Sequence, residues 1–402
     1  MEKVPASCFG SQSGLLGASI SVRGILGISR DRKVRMQAIA EEISSGKYDL
    51  VLLQEVWVKK DFESIRVVAS SVLPYSLYFH SGVIGSGLCV LSKFKIIDSF
   101  YHQWVVNGYF HKIHHGDWFG GKGVGYCKVV TNEGIKINVY TAHLHAEYDT
   151  NHDEYLAHRF LQAFDTSQLI RHTRHSGDIT ILGGDLNTEP GSGAYRMLIH
   201  NTNLNDAFVS KHGTRPDYLG CTNETLENSY TPRQLRRQNH PGKRIDYIMF
   251  SSSNAYNMST LECKNPLPSC VPGQGFSYSD HEAVSTTFEI SLSMTDESRV
   301  VNLAERSRVL HDGLKVCQKA LEKLEYRGSA YFICFLASTV LSIFLFIFVT
   351  MPMFISSICH SLLWLVSLFF LYMATVWNMM ERNGILSGFD GLEVNIRSLE
   401  ET

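Results

Sequence analysis

The sequence predicts an α+β domain over residues 21–292, followed by a two-helix transmembrane hairpin. Three observations predict it. Apolar, β-branched runs such as 179–182 have the pattern of strands buried on both faces, and amphipathic helical stretches separate them. Several of these runs end on a carboxylate, an amide or an imidazole, which are poor core material. Near the C-terminus two consecutive spans, 329–351 and 353–377, contain no Asp, Glu, Lys or Arg.

Residues 1–20 are expected to form a divergent tail. Gly14 to Ile20 makes a poor strand, and Met1 to Gly24, with Lys3 and only short apolar pieces, lacks the pattern of a signal peptide. Val34, Ala38, Ile39 and Ile43 recur at helical spacing and predict a helix from Ser29 to Ser45, stopped at Gly46. Asp49 to Glu55 reads as a buried strand ending in an acid, so Glu55 is either a ligand or a strand-end carboxylate turning to water. A second helix is expected from Asp61 to Val72. A hairpin punctuated by Gly82, Gly85 and Gly87 is expected from Tyr78 to Leu91.

Residues 111–123 place three histidines, Asp117, Lys112, Lys122, Trp118 and Phe119 in one glycine-rich loop. Ordering such a loop costs conformational entropy, so a role is plausible. Taken alone, the residues better fit a long surface hairpin with satisfied histidines. Ile135, Ile137 and Val139 alternate in a strand that runs into His143, with His145 on the same face. That pair fits a metal site or hydrogen-bonded structural residues. A long helix from Asn151 to His175 is expected to bury Leu156, Phe160, Ala163 and Ile170.

The stretch 179–187 is the centre of the domain. A buried strand meets Gly183 and Gly184, where the backbone can turn closely. Asp185 and Asn187 follow two residues apart, on one side of an extended segment. A carboxylate and an amide leaving together can hold a phosphate, a metal or a water; an ordinary turn has the same composition. Residues 202–239 are polar and loop-rich. Arg244 to Phe250 reads as a strand with an embedded Arg244/Asp246 pair, by itself a structural ion pair. Asp280-His281 sets a carboxylate beside an imidazole; adjacent residues point apart in a strand, so the two meet only on a turn, and taken alone the pair better fits a polar loop. A histidine oriented by a carboxylate can serve as a general base. Ala283 to Ser291 is the last strand.

Charge is nearly balanced, 37 Lys+Arg against 39 Asp+Glu, which argues against a nucleic-acid binder. The nine cysteines show no CxxC pair and no zinc-finger spacing, as expected for reduced thiols in a cytosol-facing domain. Within residues 293–327, Leu310, Leu314, Cys317, Leu321 and Leu324 repeat in 4-3-4-3 steps, a helix whose apolar seam packs on its own domain or on a second copy. Each uncharged span meets the ~20 residues that cross a bilayer. Pro352 separates the spans, Lys323 and Arg327 precede them, and Arg382 and Arg397 follow. The positive-inside rule therefore places both flanks, including the tail 378–402, in the cytosol. His360 is expected to face the partner helix as a neutral residue.

Five pieces in fixed order carry a resemblance: Leu53-Gln54-Glu55, Thr141-Ala142-His143-Leu144, Gly184-Asp185-Leu186-Asn187, Arg244-Ile245-Asp246-Tyr247 and Ser279-Asp280-His281. Together they resemble the endonuclease/exonuclease/phosphatase superfamily over residues 20–290. Within it the chain is similar to the neutral sphingomyelinases, through Val56-Trp57, the stretch 81–88, the stretch 113–119, the stretch 143–148 and the two spans that follow the domain. The resemblance implies a DNase I-like four-layer α/β sandwich. It also implies a Mg²⁺-dependent phospholipase C that hydrolyses sphingomyelin to ceramide and phosphocholine, with choline lysophospholipids as related substrates. The protein would be a multi-pass membrane protein of the endoplasmic reticulum with a cytosolic catalytic domain and no nucleic-acid partner.

By the same resemblance, Glu55 ligates Mg²⁺ and His281 takes the proton of the attacking water. Asp246 orients that histidine, with Asp280 beside it. Asp185 and Asn187 position water and phosphate, and His143 stabilises charge on the phosphoryl oxygens. Asp117 and Lys122 form a regulatory loop pair, and Trp118 and Phe119 meet the bilayer surface. Relatives carry an asparagine at the end of the first strand, in an Asn-Cys-Trp-Gly-like stretch; here the matching residues are Ser21-Val22-Arg23-Gly24. The alternatives are another metal-dependent phosphodiesterase or nuclease of the same fold, or a membrane-bound relative that the serine has inactivated.

Overall fold

The computed structural model describes residues 13–25, 27–149, 151–215, 218–293, 302–350 and 352–401. The chain divides into two compact units, Met1–Arg306 and Ser307–Thr402. In chain order the first contains β1 (Ser13–Ser21), α1 (Arg32–Ile43), β2 (Leu50–Gln54), α2 (Lys59–Ala69), β3 (Tyr75–Tyr78), β4 (Cys89–Ser92), β5 (Lys95–Gln103) and α3 (Asp117–Gly120). There follow β6 (Gly123–Val130), β7 (Lys136–His143), α4 (Leu156–Thr173), β8 (Ile179–Asp185), α5 (Gly193–Thr202), β9 (Asn205–Asp206), α6 (Ala207–His212) and α7 (Arg233–Arg237). The unit closes with β10 (Asp246–Ser252), β11 (Tyr256–Lys264) and β12 (Val284–Leu292).

The strands form two six-stranded sheets, ordered β11-β12-β1-β2-β4-β3 and β5-β6-β7-β8-β10-β9. Each sheet holds one parallel pair among the described residues, β1 with β2 and β7 with β8. A helix links each pair, α1 in the first and α4 in the second, as a parallel connection requires. The inner faces meet through Leu15, Leu52, Val90, Ile137, Val139, Ile181, Ile248, Phe250 and Phe288. On the outer side of the first sheet, Ala18, Ile20 and Leu53 pack with Ile39 and Ile43 of α1 and Phe62 and Ile65 of α2. The second sheet is backed by α4, which is joined to β7 where the Tyr140 and Thr173 hydroxyls meet at 2.5 Å. Leu156, the first residue of α4, is 48% exposed instead of buried as its spacing suggested, whereas Phe160, Ala163 and Ile170 are buried.

β1 corrects the reading of residues 1–20 as a tail in which Gly14 to Ile20 makes a poor strand. Ser13–Ser21 is a central strand, antiparallel to β12 and parallel to β2. Its weak propensity comes from Gly14, Gly17, Ser19 and Ser21, but pairing on both edges and packing on both faces decide strand formation here. Leu15 enters the core between the sheets, whereas Ala18 and Ile20 meet the helices.

The second unit is built from α8 (Leu303–Phe348), α9 (Met353–Tyr372) and α10 (Asn378–Glu400), the last two joined by a π-helical turn at Met373–Trp377. The helices run antiparallel: Ser342 Oγ meets His360 Nδ1 at 3.2 Å, Ser367 Oγ donates to Ser338 Oγ at 2.8 Å, and Arg327 pairs with Glu381 at 2.7 Å. His360 thus faces the partner helix. Asn378 Nδ2 donates to the Leu324 carbonyl at 2.8 Å. Leu310 and Cys317 of the α8 seam and Ile385 and Leu392 of α10 are all buried. Residues 378–402, read as a tail, thus form a helix tied to α8 through Asn378 and Glu381. Both long helical runs, Leu303–Phe348 and Met353–Glu400, are apolar and long enough to cross a membrane, and only 6% of each apolar window is buried.

Candidate active site

Parallel strands end on the same edge of a sheet, and an antiparallel neighbour begins there. His143 at the end of β7 therefore lies beside Asp185 at the end of β8, and Asp185 lies opposite Asp246 at the start of β10. On the facing sheet, β1 and β2 end with Ser21 beside Gln54, and Glu55 follows. Glu55 (φ 61°) and Asn187 (φ 43°) both adopt left-handed backbone as they leave their strands. Non-glycine residues rarely do so, and such conformations cluster at functional sites.

The ligand atoms of Glu55, His143 and Asp185 lie within 4.8 Å of one another, as do those of Asp185, Asp246 and His281. Asp185 belongs to both groups. His281 Nδ1 meets Asp246 Oδ2 at 2.8 Å and lies 3.7 Å from Asp185 Oδ2. The Asn187 backbone N–H donates to Asp185 Oδ1 at 3.0 Å, and Asn187 Nδ2 donates to the Leu144 carbonyl at 3.0 Å. His143, Asp185, Asp246 and His281 are all buried, and Glu55 is half-buried.

Burial, followed by the charge of Asp280, raises the Glu55 pKa. Burial pushes Asp185 up to about 8, against the opposing pull of His281. Burial opposes a charge on His281 as well, yet Asp246 and Asp185 outweigh it and hold the imidazole well above its ordinary value. Among the described residues, Asp246 Oδ1 is a buried acceptor without a donor. Carboxylates crowded this closely, with one acceptor unanswered, fit a hard divalent cation, which takes oxygen ligands. Both groups of side chains could hold a metal ion.

A second network adjoins the first. Lys122, just before β6, is buried in an ion pair with Asp117, the first residue of α3. Its Nζ also lies 3.2 Å from His143 Nε2 and from the Leu144 carbonyl. Asp117 accepts from the Tyr148 hydroxyl at 2.7 Å, and His145 Nε2 lies 3.4 Å from it. Burial and then Lys122 depress the His143 pKa well below its ordinary value, so this imidazole is neutral at pH 7. The loop 111–123 is thus wired to the carboxylate cluster through one ammonium. It forms no hairpin; a single helical turn and packed aromatics hold it, with His115 stacked on Tyr148 at 3.8 Å.

Two pairings suggested by sequence adjacency are corrected. Asp280 does not orient His281: successive side chains point apart, and Asp280 Oδ2 instead meets Arg23 Nη1 at 3.2 Å. Arg244 does not pair with Asp246; it binds Asp206 at 2.6 Å and leaves Asp246 to the histidine. His145, read with His143 as a metal pair or as hydrogen-bonded structural residues, is in neither ligand group and lies against Asp117. Two participants were missed. Tyr148 sits in the stretch 143–148 already noted, but nothing in it showed that it reaches Asp117. Arg23 gave no signal, because its partner is 257 positions away in the chain.

Residues 19–281 match the Endonuclease/Exonuclease/phosphatase family. A Drosophila melanogaster protein named "Putative neutral sphingomyelinase" is 37% identical over 95% of this chain and 97% of its own length. Human sphingomyelin phosphodiesterase 2 is 37% identical over 71% of this chain and 68% of its own. The crystal structure of sphingomyelinase C from Streptomyces griseocarneus superposes with a TM-score of 0.51 at 18% identity, over 68% of this chain and 99% of that one, a likeness of fold.

Proposed function

The chain belongs to the endonuclease/exonuclease/phosphatase family, and from that premise we propose that it is a Mg²⁺-dependent phospholipase C that hydrolyses sphingomyelin to ceramide and phosphocholine. The observation that carries the reading is the meeting of Glu55, His143, Asp185, Asp246 and His281 in two overlapping groups of potential ligand atoms. Relatives that align along most of this chain are sphingomyelinases by name, which supports sphingomyelin over a nucleic acid as substrate. Choline lysophospholipids are related substrates in this reading.

Glu55 holds Mg²⁺, which when bound supplies Lewis-acid stabilisation of charge on the phosphodiester. His281 is the general base. Its Nδ1 is committed to Asp246, and a cation held among the neighbouring carboxylates would offset the charges that raise its pKa, so that neutral Nε2 takes the proton of the attacking water. Asp185, held by the Asn187 N–H, and the Asn187 amide position the water and the phosphate. Neutral His143 and the adjacent Lys122 ammonium stabilise charge on the phosphoryl oxygens. Because Lys122 also binds Asp117, displacement of the α3 turn withdraws that ammonium; this is the regulatory role of the Asp117/Lys122 pair.

The α3 turn also presents exposed Trp118, and the neighbouring loop presents exposed Val83 and Ile84, joined to it by Val83 N–H donating to the Phe119 carbonyl at 2.7 Å. This apolar lip, with Phe119 beside it, meets the bilayer surface. The helical hairpin embeds the protein in the endoplasmic reticulum membrane with the catalytic unit in the cytosol. The test is an assay of the full chain on sphingomyelin vesicles and on duplex DNA, with Mg²⁺ and with chelator. Phosphocholine release that needs Mg²⁺, with intact DNA, is expected; DNA cleavage without lipid turnover would favour the nuclease alternative.

A further inference from the structure

Arg23 follows the end of β1 in left-handed backbone, φ 50°, a region arginine seldom occupies. The chain on either side is pinned. The Val22 N–H donates to the Gln54 carbonyl and the Gly24 N–H to the Glu55 carbonyl, each at 2.9 Å. The buried Arg35 guanidinium donates to the carbonyls of Val22 at 2.7 Å and Arg23 at 2.9 Å. The Arg23 side chain is thereby aimed at Asp280, with Nη1 3.2 Å from Oδ2. Its guanidinium lies 5.7 Å from the centre of the Tyr230 ring, which Arg35 approaches at 5.5 Å. The Tyr230 hydroxyl is in turn anchored to Asp31 at 3.2 Å.

Asp280 is therefore held by Arg23 beside the site: it precedes His281, whose Nδ1 lies 3.7 Å from Asp185 Oδ2, and Asp185 shares a ligand group with Glu55. Arg23 itself flanks Glu55, whose carbonyl accepts from the Gly24 N–H at 2.9 Å. A divalent cation at Glu55 gains from the Asp280 carboxylate only to the extent that Arg23 has not already neutralised it. We propose that Arg23 is a built-in competitor for the divalent cation, its ion pair with Asp280 weakening metal binding at Glu55. This rests on the reading of Glu55 as the residue that holds the ion. Both partners are partly open to solvent, with side chains 36% and 25% exposed, so the effect is screened and moderate.

The test is calorimetric titration of the full chain, in detergent micelles, with MgCl₂ alone. Arg23→Gln removes the charge and is expected to tighten Mg²⁺ binding by roughly five- to tenfold at low ionic strength, less as salt rises. Arg23→Lys keeps the charge and is expected to bind within about twofold of the wild type, because the Coulomb term is retained. Thermal unfolding of each variant shows that the fold is retained. Unchanged or weaker binding by folded Arg23→Gln, while Glu55→Gln abolishes binding, overturns the proposal and leaves the metal reading intact. Binding that survives Glu55→Gln overturns the metal reading itself, and this proposal with it.

Discussion

The Asp117 carboxylate is buried against an equally buried ammonium, that of Lys122. Burial alone would raise the Asp117 pKa; Lys122 and then His145 outweigh it and hold the carboxyl well below the usual range. A carboxylate whose folded pKa is depressed contributes stability that is present above its unfolded value, ~3.9, and is lost as pH falls through the folded value. Asp117→Asn leaves Lys122 buried without its counter-charge, and breaking such a pair costs about 3–5 kcal/mol. Urea unfolding of the two proteins is therefore expected to differ by roughly that amount at neutral pH. The gap should narrow progressively as the medium is acidified below ~4 toward the depressed folded value, because over that range the unfolded chain takes up a proton that folded Asp117 still refuses. A gap that stays constant through that range would contradict the pairing.

At the scale of the element, the site depends on where β7 and β8 end. Gly184 sits in that pair at φ 154°, and a Cβ there would collide with the Ala142 carbonyl of β7. Neither neighbour is free to yield, since His143 and Asp185 are register partners one step further on. Gly184→Ala is expected to destabilise the domain by roughly 3 kcal/mol or more, from strain and overpacking together. Gly17→Ala in β1 serves as the contrast, because a Cβ there meets nothing within 4 Å; it should shift the thermal midpoint little. Strands that end in chemistry were legible because an apolar run stopped abruptly on Glu55, His143 or Asp185. β1 was not, because glycine and serine carry little strand signal and its place is set by β2 and β12, distant in sequence. The same limit hid Arg23–Asp280 and Arg244–Asp206: a sequence displays neighbours along the chain, and both ion pairs are made across it.

For the whole molecule, the two facing sheets were anticipated through the resemblance that five short motifs in fixed order carry; the meeting of the polar strand ends at one edge is seen only in the fold, where parallel strands stop together. The C-terminal unit was legible in its two uncharged spans, whose composition alone marks them, and in the heptad seam of α8. That residues 378–402 continue as a helix tied back to α8 was not legible, because the Asn378 bond to the Leu324 carbonyl and the Arg327–Glu381 pair join positions 54 apart in the chain. The central claim is that side chains from separate strand ends form one hydrolytic site with His281 as its base. The most direct measurement is phosphocholine release from Mg²⁺-containing sphingomyelin vesicles by the full chain and by His281→Ala. The account predicts turnover by the wild type and a loss of about 10²–10⁴-fold in the variant, with thermal unfolding of the domain unchanged. Equal turnover by the two proteins would contradict it.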